Sequence, residues 1–193
     1  SEETNQLLQK LNGRLYLIQG NHDHYVKDPN FDSSRFEWIK MYEELSDNKR
    51  KVILCHYPIM CYNGQYKLNA EGNPKTYMLY GHVHDTQDQR LLERFQGITS
   101  ETTFLNTQGE TQHIPCNMIN CFCMYSNYQP LTLDEWIACD KNRKQKSCQN
   151  VKRYEKEPSK TGRLKVFIVV YDFLGMSTVP SVSIKDRIAS EFC

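Results

Sequence analysis

Three short apolar segments each end in a cluster of polar side chains, and this pattern constrains the fold more than any other feature of the sequence. The segments read LYLIQGNHDH at 15–24, VILCHYP at 52–58 and YMLYGHVHD at 77–85. Short apolar runs that end at Gly or Pro are typical of buried β-strands. Five of the six histidines belong to these segments, namely His22, His24, His56, His82 and His84. The sequence therefore predicts side chains able to bind a metal or move a proton at three strand ends.

Composition indicates an ordinary folded domain. The 193 residues are 39% hydrophobic and 24% charged, as in globular proteins generally. No apolar run approaches the roughly 20 residues of a membrane-spanning helix, and we find no signal-peptide pattern. The eight cysteines could indicate a disulfide scaffold, but Cys55 lies inside an apolar run, and the later cysteines lack the paired spacing of zinc ribbons. We therefore expect a reduced, cytoplasmic protein with no membrane partner.

Charge is distributed unevenly along the chain. Residues 1–139 contain 12 Lys and Arg against 17 Asp and Glu, whereas residues 140–193 contain 12 against 6. We predict a folded domain over 1–139, a basic connector over 140–165, and an extension over 166–193 with one strand candidate at 166–173. The connector has a single interleaved tyrosine, which favours a solvated linker over a nucleic-acid-binding segment.

Local patterns predict the elements of the N-terminal half. An apolar leucine stripe and the stop signal Asn12-Gly13 predict a helix over 1–12. A cap at 32–34 followed by apolar residues at near-helical spacing predicts a second helix, and those residues are Phe36, Trp38, Ile39, Tyr42 and Leu45. Residues 61–75 are expected to form a surface loop across the mouth of the site.

The C-terminal half is predicted in the same way. A short polar helix should follow His84 and end near Glu93, and a Thr- and Gly-rich loop should occupy 97–111. The apolar run at 114–125 predicts a buried strand. The segment Thr132-Leu-Asp-Glu135 has the spacing of a capping box and predicts the start of a further helix.

The strand ends are expected to meet in one cleft. In an extended segment residues i and i+2 lie on one side, so His82 and His84 should point the same way. If the strands ending at His56 and His82 share a sheet, their ends form the kind of cleft in which open α/β sheets bind ligands. Asn21 would add an amide oxygen, and this donor set suits Mn, Fe, Zn or Ni better than Ca or Mg.

Neighbouring residues suggest how such a site would work. Gly20 and Gly81 would let the backbone pass close to a bound ion and its anionic substrate. His22, oriented by the carboxylate of Asp23, is suited to protonating a leaving group. A histidine at a strand end is usually only a polar terminus, so the prediction depends on all three segments occurring together.

The motifs GNHD at 20–23, CHYP at 55–58 and GHVH at 81–84 resemble the last three signature motifs of the calcineurin-like metallophosphoesterases. The chain from residue 1 to about 140 is similar to the small bacterial and phage members of that superfamily. The resemblance implies an α/β (α+β) fold, a four-layer αββα sandwich with two divalent transition metals at strand ends. It also implies a phosphate-ester substrate, a small molecule or nucleotide, hydrolysed as a monoester or diester by a metal-bound hydroxide.

The resemblance also implies roles for individual residues. The metal ligands carried over by motif are Asn21, His56, His82 and His84, of which the first three share one metal and the last binds the second. His22 would contact the phosphate and act as general acid, and Asp23 would orient it. These are implications of the motifs, not of the spacing alone.

Two motifs of the family have no counterpart upstream of Gly20. They are an Asp-x-His and a Gly-Asp-x-x-Asp, which supply the remaining carboxylates, including the one that bridges both metals. We favour a chain that is the C-terminal part of a longer, active polypeptide, with a domain incomplete at its N-terminus. Otherwise a partner chain or another protomer supplies the missing half, or the chain is a non-catalytic metal- or partner-binding remnant. Without the missing carboxylates, this chain alone would hold only one metal.

Overall fold

A computed structural model describes residues 2–148, and this part of the chain contains three α-helices and eight β-strands. The helices are α1 (Glu2–Lys10), α2 (Gln87–Glu101) and α3 (Leu133–Cys148). The strands are β1 (Leu15–Ile18), β2 (Phe36–Lys40), β3 (Tyr42–Asp47), β4 (Arg50–Cys55), β5 (Thr76–Tyr80), β6 (Thr103–Leu105), β7 (Thr111–His113) and β8 (Met118–Asn120). The predicted mixture of α and β structure is confirmed, and the four-layer sandwich stays a prediction. Within this part of the chain every helix is too short or too polar to cross a membrane.

The main sheet contains four strands in the order β3-β4-β5-β8. β3 and β4 are antiparallel, whereas β4, β5 and β8 run parallel to one another. Successive residues of β4 face opposite sides of the sheet. Val52 and Leu54 pack in one core cluster with Trp136 of α3, while Ile53 packs in another with Leu92 of α2. The sheet is therefore buried on both faces, which explains its continuous apolar runs.

The second sheet pairs β1 with β2 in parallel, and α1 packs on it. The predicted helix after residue 34 is wrong, because this segment forms β2 and β3 instead. Its Asp32 cap accepts a hydrogen bond from Ser34 N, but it opens only a short 3₁₀ turn. Phe36 is buried and Glu37 exposed, as expected where successive residues of a strand face opposite sides. Parallel pairing with β1 outweighed the helical spacing of the aromatic residues.

The segment between β5 and β8 also differs from the prediction. α2 continues past Glu93 to Glu101, so the predicted loop at 97–111 begins inside a helix. β6 and β7 then form an antiparallel hairpin. Its turn is held by Asn106, whose side-chain oxygen accepts hydrogen bonds from the backbone of Gln108 and Glu110, both at 2.9 Å. The strand predicted over 114–125 is confirmed only as the three residues of β8, and a 3₁₀ turn follows it.

The helix predicted from Thr132 is confirmed together with its capping box. Thr132 N donates to Glu135 Oε2 at 2.7 Å, and Glu135 N donates to Thr132 Oγ1 at 3.3 Å. α3 then runs to Cys148 and crosses the predicted boundary at residue 139. The first residues of the predicted connector are thus helical, and the rest of it, with the extension at 166–193, lies outside the described residues.

Ion pairs join α3 to α2. Arg143 pairs with Glu93 of α2 and with Asp140 one turn earlier. Burial by itself would raise the pKa of Glu93, but hydrogen bonds from Gln89 and Arg143, with the charge of Arg143, hold this pKa below its usual value. Glu93 is therefore a stronger acid in the folded chain than in the unfolded one. The link makes α3 an integral part of the folded domain.

Candidate functional site

The ends of β4 and β5 meet at one edge of the main sheet. The two strands are parallel neighbours, so the condition on which the predicted cleft depended is met. Beyond them, Gly81 N donates to the carbonyl of His56 at 3.0 Å, which extends the pairing by one step. β1 belongs to the other sheet, but Ile18 at its end packs in the same core cluster as Leu54 and Leu79. The segment after β1 consequently reaches the same edge.

Three side-chain atoms converge there, one from each strand end. His56 Nε2 lies 2.5 Å from Asn21 Oδ1 and 3.1 Å from His82 Nδ1. His82 Nδ1 lies 3.0 Å from Asn21 Oδ1, which closes the triangle. We call these three atoms the donor triangle. The sequence prediction named all three residues, and the structure brings them together.

Close packing fixes the His56 corner of the donor triangle. His56 is 1% exposed, and the ring of Tyr57 packs against its ring in a T-shaped arrangement with centroids 5.0 Å apart. On another side lies the backbone of Gly20, where an added Cβ would come within 2.8 Å of the His56 ring. The role of Gly20 shown by the structure is therefore to admit this imidazole.

The segment after β5 is not extended, so the prediction that His82 and His84 share a side for that reason is wrong. Both residues have left-handed backbones, with φ of 62° and 47°. Val83 N donates to the carbonyl of Gly81 at 2.7 Å, which folds the chain into a tight turn. His82 joins the donor triangle, whereas the ring of His84 stacks on Phe122 with centroids 4.8 Å apart.

Asn120 at the end of β8 supports this turn, and it was missed in the sequence. Its side-chain nitrogen donates to the carbonyl of His84 at 2.8 Å and to Gln89 Oε1 at 2.9 Å. Its side-chain oxygen accepts from Phe122 N at 3.0 Å. The residue is 2% exposed. A polar residue within the apolar run at 114–125 was the available signal, because a buried amide requires partners.

The turn after β1 carries the remaining two predicted residues. Asp23 is 1% exposed, and its Oδ2 accepts a hydrogen bond of 2.6 Å from Gly20 N. This bond closes the turn that presents Asn21 and His22. His22 accepts from His24 N through its carbonyl at 2.8 Å. The orientation of the His22 ring by Asp23 stays a prediction, as does the role of either residue in catalysis.

The donor triangle has the atom types of a transition-metal site but contains no acid. Among residues 2–148, no group of three or more His, Cys, Asp or Glu side chains is placed to hold a metal ion; the triangle has two histidines and an amide. Cys55 adjoins His56, and burial raises the pKa of its thiol, which disfavours the thiolate form. Cys55, Cys61, Cys116 and Cys121 form no disulfide in this part of the chain.

Comparisons with protein-family models, with curated proteins and with solved structures found no match to this chain. The site therefore has to be interpreted from its own geometry and from the motifs in the sequence.

Proposed function

We propose that Asn21, His56 and His82 bind a divalent transition metal and that the chain takes part in hydrolysing a phosphate ester. The observation that supports this proposal is the donor triangle at the ends of three strands. The motifs around the three residues, which resemble those of metallophosphoesterases, supply the reaction class. The substrate would be a phosphomonoester or phosphodiester.

Hydrogen bonding alone cannot satisfy the donor triangle. The side-chain oxygen of Asn21 only accepts, so each of its two contacts requires a proton on the facing nitrogen of His56 or His82. With both nitrogens protonated, neither has a lone pair left for the 3.1 Å contact between them. One contact of the three is always left unsatisfied. A cation held by Asn21, His56 and His82 would accept an electron pair from each of the three atoms, which would remove the conflict.

The spacing of the three atoms also fits coordination. Two ligands with bonds of about 2.1 Å lie about 3.0 Å apart when they are cis in an octahedron, and about 3.4 Å apart in a tetrahedron. The distances of 3.0 and 3.1 Å are close to the spacing expected between two ligands of one metal ion. The 2.5 Å contact between Asn21 and His56 would have to open by about 0.5 Å. Two imidazole nitrogens with an amide oxygen would suit Mn, Fe, Zn or Ni better than Ca or Mg.

The bound ion and other residues of the chain would then each have a role in the hydrolysis. A bound divalent ion supplies acidified water and offsets charge on the phosphoryl oxygens. His22, on the turn fixed by the bond from Gly20 to Asp23, would contact the phosphate and protonate the leaving oxygen. His84, whose ring rests on Phe122, would serve as a ligand for a second ion. The donor triangle itself supplies none of the carboxylates that such a pair of ions requires.

A second candidate function is metal or partner binding without catalysis. The absence of a carboxylate from the donor triangle favours it, because three neutral ligands hold one ion and provide no bridge to another. The two functions share the metal and differ in turnover. They are separated by His22, which the first function requires and the second does not.

The decisive experiment compares His82→Ala with His113→Ala. Both remove one imidazole, but His113 is exposed at the end of β7, in the separate β6–β7 hairpin and not in the main sheet. We expect wild type and His113→Ala to retain Mn or Ni after dialysis, and His82→Ala to lose it, as measured by elemental analysis. Equal metal content in all three proteins would contradict the site.

Catalysis is then tested with an aryl phosphodiester and added Mn. His22→Ala should keep its metal and lose turnover by about 10²–10⁴-fold, the usual contribution of a general acid. Metal binding with no turnover in wild type would support the non-catalytic function instead.

A further inference from the structure

One aromatic side chain beside the donor triangle has no role in holding the metal. The ring of Tyr57 packs on both histidines of the triangle, with its centroid 4.5 Å from that of His82 and 5.0 Å from that of His56. The planes of these two imidazoles are inclined to it by 60° and 81°, so neither is stacked flat on Tyr57. Tyr57 remains 41% exposed. Part of this ring therefore borders solvent directly beside the proposed metal ligands.

A ligand can reach the donor triangle only past the members that are partly exposed. His56 is 1% exposed, so its side of the triangle is closed, whereas Asn21 and His82 both retain some exposure. The ring of Tyr57 lies closer to His82 than to His56. A molecule bound to an ion at the triangle would therefore have the ring of Tyr57 as a neighbour where it extends toward solvent.

Backbone restraints hold the two contacting rings in place before any ligand binds. Pro58 follows Tyr57 and restricts the backbone of the residue before it. His82 lies in the turn that Val83 N closes by donating to the carbonyl of Gly81 at 2.7 Å. A ring that is already fixed loses little conformational freedom when a ligand packs on it. Aromatic rings pair favourably with other aromatic groups in offset-stacked or edge-to-face arrangements, so an aromatic group is the partner that suits Tyr57.

We propose that Tyr57 makes this site selective for phosphate esters that carry an aromatic ring directly on the ester oxygen. The inference rests on the proposed function, because the phosphate has to be held by an ion at the donor triangle. Tyr57 adjoins the metal ligands themselves, so a ring bonded to the ester oxygen is within its reach. A nucleobase is separated from a 5′-phosphate by the ribose and would lie farther out. In this role the ring of Tyr57 is required and its hydroxyl is not.

Binding of non-hydrolysable phosphonates to the full chain with added Zn²⁺ tests this selectivity without requiring turnover. Phenylphosphonate and cyclohexylphosphonate carry rings of similar size, and only the first ring is aromatic. We expect wild type to bind phenylphosphonate about two- to tenfold more tightly by isothermal titration calorimetry, as for a favourable aromatic pair. Tyr57→Phe should retain this preference, and Tyr57→Leu should reduce the ratio of the two affinities to about one. Because both ligands are measured on the same protein, a general loss of phosphonate affinity in Tyr57→Leu cancels from the ratio.

A matched variant and a direct contact measurement complete the design. Tyr66→Leu makes the same change at a tyrosine that is 53% exposed and packs on Phe104 of β6, and it should retain the wild-type preference. If Tyr57→Leu does not fold or binds neither ligand, nuclear Overhauser effects on wild type replace it, since Zn²⁺ is diamagnetic. The phenyl protons of the ligand should show these effects to the ring of Tyr57, whose signals are identified by their loss in Tyr57→Phe. Their absence from the bound complex would refute the contact.

The outcomes distinguish this inference from the proposed function. Methylphosphonate, which has no ring, should bind to wild type only when Zn²⁺ is present. If it shows no zinc-dependent binding, the proposed metal and phosphate site is overturned, and the role of Tyr57 with it. Zinc-dependent binding with equal affinities for the phenyl and cyclohexyl ligands, or with an unchanged preference in Tyr57→Leu, overturns the role of Tyr57 alone. A preference that depends on Tyr57 for adenosine 5′-monophosphate over ribose 5-phosphate, with none for phenylphosphonate, also overturns it.

Discussion

Replacing Gly20 by alanine should destabilise the fold by about 1–3 kcal/mol, the usual cost of overpacking. A Cβ at this position would lie 2.8 Å from both Cε1 and Nδ1 of His56, and 3.1 Å from Cγ. Carbon atoms in ordinary contact lie about 3.5–4.0 Å apart, so the ring would have to retreat by about 0.7–1.2 Å. The backbone of Gly20 is not left-handed, so the penalty is steric alone.

The ring of His56 has little room to retreat. The residue is 1% exposed, and its Nε2 is already 2.5 Å from Asn21 and 3.1 Å from His82. Any displacement of about 1 Å would break the donor triangle, since close packing does not deform gradually. Gly20→Ala should therefore also lose the metal that we propose for this site.

Gly97→Ala provides the control, and it should change stability in the opposite direction. Gly97 is exposed in the interior of α2, and a Cβ built there meets no atom within 4 Å. Alanine in a helix interior is more stable than glycine by about 0.5–1 kcal/mol. Urea unfolding followed by far-UV circular dichroism measures both variants, and the comparison is valid where the slope m is unchanged.

A double-mutant cycle identifies the cause. In a His56→Ala background the ring is absent, so adding Gly20→Ala should cost less than about 0.5 kcal/mol. If Gly20→Ala is as costly in that background as in wild type, or costs nothing in wild type, the steric explanation is refuted.

Three further predictions concern the elements around the site. Thr132→Ala removes the capping box with Glu135 and should lower the unfolding free energy by about 1 kcal/mol in urea titrations; no change would contradict it. Asn120→Leu removes the hydrogen bonds to the carbonyl of His84 and from the N–H of Phe122 and should cost about 1–3 kcal/mol by the same measurement, and an unchanged midpoint would show that the turn after β5 does not depend on it. Because the pKa of Glu93 is lowered below its ordinary value of 4.5, its stabilisation is complete above that pH and is lost as pH falls through the folded-state pKa. Arg143→Met should reduce this acid-dependent loss of thermal stability, and an identical pH profile would refute the pairing.

The sequence predicted the elements whose signals are local. The capping box of Thr132 and Glu135 encodes a helix start within four residues, and both of its hydrogen bonds are present in the structure. The strands β4 and β5 were predicted as buried strands from continuous apolar runs, because a strand covered on both faces has no polar alternation. The convergence of Asn21, His56 and His82 followed from these strand ends.

The region from 36 to 47 was mispredicted because its pattern fits two periods. Phe36, Trp38 and Ile39 can line one face of a helix, and Phe36 and Trp38 equally alternate along a strand. The strand forms instead of the helix because β2 pairs with β1, which lies about twenty residues earlier in the chain. A non-local partner of this kind is not encoded in the segment itself, so local spacing cannot identify it.

The turn after β5 shows that local sequence patterns also fail to predict the orientation of the site residues. Its motif was visible, but the directions of its two histidines depend on left-handed backbones at His82 and His84, which non-glycine residues rarely adopt and which cost free energy. Asn120 offsets that cost by holding the carbonyl of His84, and it can do so only because β8 is the next strand in the sheet. The ligand residues are thus encoded locally, whereas their orientation is encoded in the order of the strands. A variant that weakens β8 should disturb this turn before it disturbs the strands that carry it.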